Sequence, residues 1–374
     1  MHHTGRRVFV AALTVVAVAS VAASAGANST ATPFKPVLKS GIKGALLPSQ
    51  VKLWRYDKAS GRYKVVPGKP PAAYTPHITK QSKQYTIAFA EGWAANAFSV
   101  PIHKAMYTLA KQMGVKLIYC DNEFKTDKAV TCAESMASQH PDFVVESNWQ
   151  SAVAPAVMKI WNAAKIPAVT LDVWHPNAIF AGADNYTSGV IGGKAAGAYA
   201  KKTWGCKDVW VFLGEHLEEG AAADLRLSGF ADGVQEVCGK LPSGNIAREI
   251  MDAGTTDQAI TKTTDWLTAH PQAKHVLATT IDDERATGQA KALVASHRDG
   301  VAVGPGCDTV GIAAVKSGDV TKNHYLGCTA YFPEKYAAYA MSVAADVLAG
   351  KAVPQEVHLQ HRFLTHANIG QYYK

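Results

Sequence analysis

From about Tyr85 to the carboxyl terminus, short apolar runs alternate with stretches whose apolar residues recur at helical spacing, and this alternation limits the fold more than any other feature. Strands are predicted at Tyr85 to Ala90, Val115 to Cys120, Phe143 to Glu146, Ala168 to Asp172, Ile179 to Ala183, Val209 to Leu213, Ala247 to Met251, Val276 to Thr279, Val301 to Gly304 and His324 to Cys328. Segments such as Val100 to Ala110 and Thr261 to Thr268 read as the intervening helices. Strands that are apolar throughout have both faces covered, and strands separated by helices run parallel because each crossover returns the chain to its starting edge. Ten strands are too many for one small doubly wound domain, so two lobes of about five strands each are expected. A (β/α)₈ barrel is the alternative built from the same alternation. The length of 374 residues, with 48% hydrophobic and 18% charged, is enough for two full cores.

The amino terminus reads differently. His2, His3, Arg6 and Arg7 precede an apolar run from Val8 to Ala23, and Ala25-Gly26-Ala27 then offers the small residues of a signal peptidase site. Residues 1–27 are therefore expected to be a signal peptide, with the mature chain starting near Asn28. A retained membrane anchor is the competing reading, but the run is short for a span. Ordinary secretion is favoured over twin-arginine export, because Gly5 precedes the Arg6-Arg7 pair and no lysine follows. No cysteine lies near the cleavage site to accept a lipid, so a soluble periplasmic or secreted product is expected.

Residues 28–84 are rich in Pro, Lys, Gly and Ser. They hold one predicted hairpin, Val51 to Tyr56 and Tyr63 to Val66 around Ala59-Ser60-Gly61, and read as an extension without assigned function.

Six cysteines in an exported chain suggest three disulfides, for which fifteen pairings exist. Pairing of sequence neighbours is expected (Cys120 with Cys132, Cys206 with Cys238, Cys307 with Cys328), because each pair flanks adjacent elements. The absence of Cys-x-x-Cys spacing argues against zinc. The formal charge of +8 falls to +6 without residues 1–27, and no dense basic stripe with interleaved aromatics occurs, so nucleic acid is not an expected partner.

In parallel sheets, ligands sit at the carboxyl ends of the strands. There the sequence places Glu91 to Phe98, Ser147-Asn148-Trp149, Asp172-Val173-Trp174-His175, Glu215-His216, Asp252 and Asp282-Asp283-Glu284. Trp93, Trp149 and Trp174 follow three strands of one lobe in a chain with eight tryptophans, and flat indoles suit the C–H face of a sugar. Arg226 is expected to open a helix and to donate paired hydrogen bonds, with Asp172 or Asp282 as its acidic neighbour. The acidic turn at 282–284 is weak evidence for a metal, and no metal or other cofactor is expected. The chain has no Gly-x-Ser-x-Gly elbow, His-Glu-x-x-His or phosphate loop, and Gly189, Gly192, Gly193 and Gly197 read as close helix packing rather than dinucleotide binding.

Several stretches, taken in order, resemble the type I periplasmic binding proteins, in particular the ribose-binding-like sugar receptors. They are Tyr85 to Ala90 followed by Asn96-Ala97-Phe98, Lys165 to Asp172, Gly182-Ala-Asp-Asn-Tyr-x-x-Gly189, Trp266 to Pro271, and Val303-Gly304. The resemblance implies two Rossmann-like lobes joined by a three-segment hinge near Ala183, Tyr331 and His361. Lobe 1 would be residues 85–183 and 332–361, and lobe 2 residues 184–331 and 362–374. It further implies ligand contacts at Gly92, Asn96, Phe98, Ser99, Asp172, Val173 and Arg226, with Asp282 where the family has an asparagine, Gly254 where it has an aromatic, and Tyr331 where it has a hinge glutamine. Val173 replaces a polar contact, and Gly306 replaces the aspartate after the Val-Gly strand, departures that count against ribose itself and point to a cleft re-cut around Trp93, Trp149, Trp174 and Tyr331.

The same resemblance implies a monomeric binding protein, not an enzyme, that closes on a small sugar-like ligand and hands it to an ABC transporter permease. A soluble receptor for a chemoreceptor or sensor kinase, and an exported enzyme using the same cleft, are the alternatives. The related lactose-repressor family is disfavoured by the export signal and the lack of a helix-turn-helix.

Overall fold

The computed structural model describes Met1, residues 34–36, 46–47 and 49–374. The predicted signal peptide, apart from Met1, lies outside the described residues, and the unit Thr32–Lys374 carries all the regular structure given below. Among the described residues, no helix is long and apolar enough to cross a membrane.

A hairpin, β1 (Leu53–Asp57) and β2 (Arg62–Val66), comes first. The first βα series runs β3 (Thr86–Glu91), α1 (Ser99–Met113), β4 (Lys116–Asp121), α2 (Thr126–Ala137), β5 (Phe143–Ser147), α3 (Ala154–Ala163), β6 (Ala168–Leu171) and β7 (Ile179–Ala183). The second runs α4 (Asn185–Trp204), β8 (Val209–Glu215), α5 (Ala221–Cys238), β9 (Ile246–Ile250), α6 (Thr256–Ala269), β10 (His275–Thr279), α7 (Asp283–Ala295), β11 (Asp299–Gly306), α8 (Thr309–Lys316), α9 (Val320–Asn323) and β12 (Tyr325–Ala330). The chain ends through α10 (Pro333–Leu348), β13 (Val353–Pro354), β14 (Glu356–Leu359) and β15 (Arg362–Leu364).

Two open six-stranded sheets result, not a closed barrel. The first has the order β14-β7-β6-β5-β3-β4 and is wholly parallel; the second is β15-β12-β11-β10-β8-β9, parallel except for the antiparallel β15 edge. Each sheet has one strand more than expected. The additional edge strands come from residues 356–364, where charged and histidine side chains interrupt the apolar runs that mark the interior strands.

The physical reasons for these elements are local. In β5 every side chain is buried, as a central strand covered on both faces requires. In α1, Ile102, Met106, Ala110 and Met113 form one buried stripe, and the helix stops where Gly114 takes the left-handed conformation and its N–H turns back to the Ala110 and Lys111 carbonyls. Helices α4 and α5 pack closely through glycines. A Cβ on Gly189 or Gly193 would collide with the Arg226 or Phe230 carbonyl, and one on Gly229 or Gly233 with the Tyr186 or Val190 carbonyl. That approach brings Arg226 against the first turn of α4.

The chain passes between the sheets at residue 184, at residues 331–332 and at residues 360–361. His361 ties these passages together: its Nε2 accepts the Asp184 N–H (3.0 Å), its Nδ1 lies 3.3 Å from the Ala330 carbonyl, and its ring packs on Tyr331. The extension is bolted to the first sheet and its cover. β1 pairs with β13, Tyr63 donates its hydroxyl to the Ala168 carbonyl (3.0 Å), and Tyr74 donates to Asp346 (2.7 Å). The six cysteines form Cys120–Cys132, Cys206–Cys238 and Cys307–Cys328, with Cα separations of 5.7, 5.4 and 5.2 Å.

Candidate functional site

The carboxyl ends of the two sheets face a common cavity. The first sheet contributes Asn96, Phe98, Trp149 and Asp172; the second contributes Glu219, Arg226, Ile281, Asp282, Pro305, Gly306 and Asp308; Tyr331 enters from the second passage.

Asp172 follows β6 with a left-handed backbone (φ 61°), a conformation that costs a non-glycine residue energy and persists only when its surroundings hold it. They do: its Oδ1 accepts the Ala183 N–H and the Tyr336 hydroxyl, both at 2.8 Å, while Oδ2 lies 4.0 Å from Arg226 Nη2. Burial raises the Asp172 pKa, and the Arg226 charge opposes that rise.

Arg226 lies in the second turn of α5 rather than at its opening, and it is buried. Its Nε donates to Asn185 Oδ1 (2.7 Å), and Nη1 donates to the Ile281 carbonyl (3.0 Å) and Glu219 Oε2 (3.3 Å). The guanidinium also sits 5.3 Å from the centre of the Tyr331 ring. Its nearest acidic partner is thus Glu219, with Asp172 second. Asp282 is not a partner: it caps α7 and ion-pairs with Arg285 on the same helix. Tyr331 shares a hydrogen bond with Ser188 (2.8 Å), and burial pushes its hydroxyl up to about 12.

Gly306 occupies a backbone with φ 127°, open to glycine but not to the aspartate the resemblance led us to look for. Two residues on, Asp308 brings a carboxylate to the cavity wall. It is 4% exposed, its Oδ1 accepts the Val310 and Gly311 N–H groups (2.8 and 3.0 Å) at the start of α8, and burial pushes its pKa up to about 6. The neighbouring Asp283 is fully buried beneath it, bonded to the Tyr325 hydroxyl (2.6 Å) and the Asp308 N–H (2.9 Å).

Of the residues singled out from sequence as ligand contacts, Asn96, Phe98, Trp149, Asp172, Arg226, Asp282 and Tyr331 line this cavity, and Gly92, Trp93, Ser99, Val173 and Trp174 do not. Trp93 packs on Phe124 with ring centres 6.0 Å apart. Ser99 is buried in the first turn of α1. Trp174 stacks on Phe180 and donates its indole N–H to Glu356 (2.8 Å), on a separate groove beside the passages between the sheets. A strand end supplies residues to both sides of a sheet, and sequence order alone does not say which side a tryptophan takes. Glu219, Ile281, Pro305 and Asp308 were missed. Glu219 lies four residues beyond the end of β8, and extending each loop reading by one helical turn brings it in.

Loops of the two sheets are also bridged directly, next in sequence to the cavity residues Trp149 and Glu219. Ser151 donates from its N–H (2.8 Å) and hydroxyl (3.0 Å) to the Glu218 carbonyl, and Gln150 donates its amide to Glu218 Oε2 (2.8 Å). The Phe124 and His216 rings also meet, with centres 5.7 Å apart.

The chain is 25% identical over 295 residues to the ribose import binding protein of Bacillus subtilis (strain 168), covering 77% of this chain and 90% of that one. Among solved structures, it matches an ABC transporter solute-binding protein from Mycobacterium smegmatis with bound glycerol at a TM-score of 0.66 and 23% identity, over 78% of this chain and 98% of that chain. It matches one from Bacillus halodurans C-125 with bound myo-inositol at 0.64 and 17%, over 79% and 99%. The periplasmic binding protein domain profile matches residues 87–352, leaving out the extension and the carboxyl-terminal strands β13 to β15, and the chain belongs to that family.

Proposed function

We propose that this chain is an exported, monomeric solute-binding protein that takes a monosaccharide or related polyol between its lobes and delivers it, unchanged, to an ABC transporter. One observation carries the reading: strand-end loops from two separate parallel sheets converge on one cavity that combines aromatic faces with carboxylates, an amide and a guanidinium. Flat rings suit the C–H faces of a polyol, and the polar groups suit its hydroxyls. The two lobes correspond to residues 85–183 with 332–361, and 184–331 with 362–374. Residues 1–27 serve as the export signal.

Ligand makes contacts to both lobes only when they are closed, so binding favours the closed form that a permease recognises. Asp172 links the cavity to the passages, since the oxygen that fixes Ala183 belongs to the carboxylate that faces Arg226.

Thermal-shift screening against pentoses, hexoses, polyols, nucleosides and amino acids tests the assignment. A ligand at 100 times its dissociation constant adds about 2.7 kcal/mol to stability. A sugar or polyol is expected to raise the Tm, Arg226→Ala is expected to abolish the rise, and mass spectrometry is expected to return the ligand intact. A rise confined to nucleosides or amino acids, or a chemically altered ligand, would contradict the proposal.

A further inference from the structure

The cavity is acidic although the chain as a whole carries a formal charge of +8. Four carboxylates line it (Asp172, Glu219, Asp282 and Asp308) against one lining guanidinium, Arg226. Arg226 is shared between Glu219 and Asp172, and Arg285 serves Asp282 from behind. Among the described residues, Asp308 has no Lys, Arg or His partner, and its Oδ2 takes no hydrogen bond.

A buried carboxylate without a counter-charge is expensive. The amino end of α8 offsets part of that cost through the two N–H groups on Oδ1. Asp308 lines the cavity on the wall opposite Phe98 and Trp149, and its Oδ2 is free of the helix-capping bonds that Oδ1 makes. With a pKa raised to about 6, Asp308 is mostly ionised at pH 7.5. The cavity therefore offers more acceptors than a neutral polyol fills economically. A hydroxyl donates one hydrogen and brings two lone pairs that need donors, whereas an ammonium donates three and accepts none.

We infer that the ligand is a polyol or sugar bearing a protonated amine, with the ammonium held by Asp308 and the hydroxyls by Asp172, Glu219 and Arg226. The inference rests on the sugar or polyol reading above and narrows it to a charge class.

Isothermal titration of the signal-free protein at pH 7.5 with matched pairs tests it: D-glucosamine against D-glucose, D-galactosamine against D-galactose, and glucamine against sorbitol. In at least one pair the amine is expected to bind roughly tenfold tighter or more than its neutral counterpart, the worth of one charge-assisted hydrogen bond. Asp308→Asn keeps the side-chain oxygen that caps α8 and removes the charge, and it is expected to shrink that ratio to about threefold or less. Asp282→Asn, whose charge is already matched by Arg285, is expected to change the ratio less. Neutral members binding as tightly as the amines, or a ratio unaltered by Asp308→Asn, would overturn the inference while leaving the polyol reading in place. Binding by no member of any pair would overturn the inference, and the wider thermal-shift screen then decides the polyol reading by itself.

Discussion

The two walls of the cavity are built on different principles. The first sheet presents Phe98 and Trp149 with the amide of Asn96 and a single carboxylate, Asp172, whereas the second presents Arg226 and the carboxylates of Glu219, Asp282 and Asp308. The first wall offers shape and apolar contact; the second offers charge, held in place by helix starts and by Arg226. The difference sets apolar contact mainly on one lobe and charge mainly on the other, so substitutions on the two walls are expected to act differently.

The charged wall is the more tightly built, and damage there is expected to have the largest effect. Arg226→Ala leaves Glu219 buried without a cation and Asn185 without a donor, which is expected to cost about 3–5 kcal/mol of stability in the ligand-free protein as well as all measurable binding. The chain remains folded at 20 °C, and urea unfolding measures the loss. Equal stability of variant and wild type would show that the second wall does not depend on this network.

Asp308 gives the next largest effect. Its folded-state pKa of about 6 lies above the ordinary value of 3.8, so protonation favours the folded form. The stabilisation is fully present below pH 3.8 and is lost as the pH rises through 6, leaving a cost of about 2–3 kcal/mol at pH 7.5. Asp308→Asn removes that dependence. The stability difference between variant and wild type is expected to grow in the variant's favour by that amount between pH 4 and pH 7.5. Parallel pH profiles would contradict a folded-state pKa raised by burial at Asp308.

On the aromatic wall, Trp149→Ala is expected to weaken binding by about 1–2 kcal/mol, read by calorimetry, with little change in the Tm of the ligand-free protein, because Trp149 is only partly buried. It is expected to weaken a neutral and a charged ligand alike, which distinguishes it from Asp308→Asn. The smallest effect belongs to the bridge between the loops of the two sheets. Gln150→Ala combined with Ser151→Ala removes the side-chain contacts to Glu218, and ligand dissociation is expected to quicken severalfold, about 1 kcal/mol, in stopped-flow measurements. An unchanged rate would mean that the bridge does not contribute to closure.

The fold was legible because interior strands announce themselves. Phe143 to Glu146 and Ile179 to Ala183 are buried without interruption, as cover on both faces demands. Of the edge strands, β4 and β9 were read from sequence but β14 and β15 were not, since Glu356 to Leu359 and Arg362 to Leu364 are short and carry charge. The site divides along similar lines. Asp172 and Arg226 stand at positions the resemblance marked, and Trp149 lies directly after a strand. Asp308 stayed hidden because the acidic position moved two residues past Gly306, and Glu219 because its loop runs through an additional turn. Trp174 shows the converse failure: its place after β6 suggested the cavity, but stacking on Phe180 and the bond to Glu356 hold it elsewhere.

Backbone hydrogen exchange, measured with and without the tightest ligand found by screening, tests the two-walled cavity most directly. Slowed exchange is expected together at residues 96–99 and 147–149 on one wall and at residues 281–282 and 305–311 on the other. Protection confined to a single wall, or centred on the groove around Trp174, would contradict it.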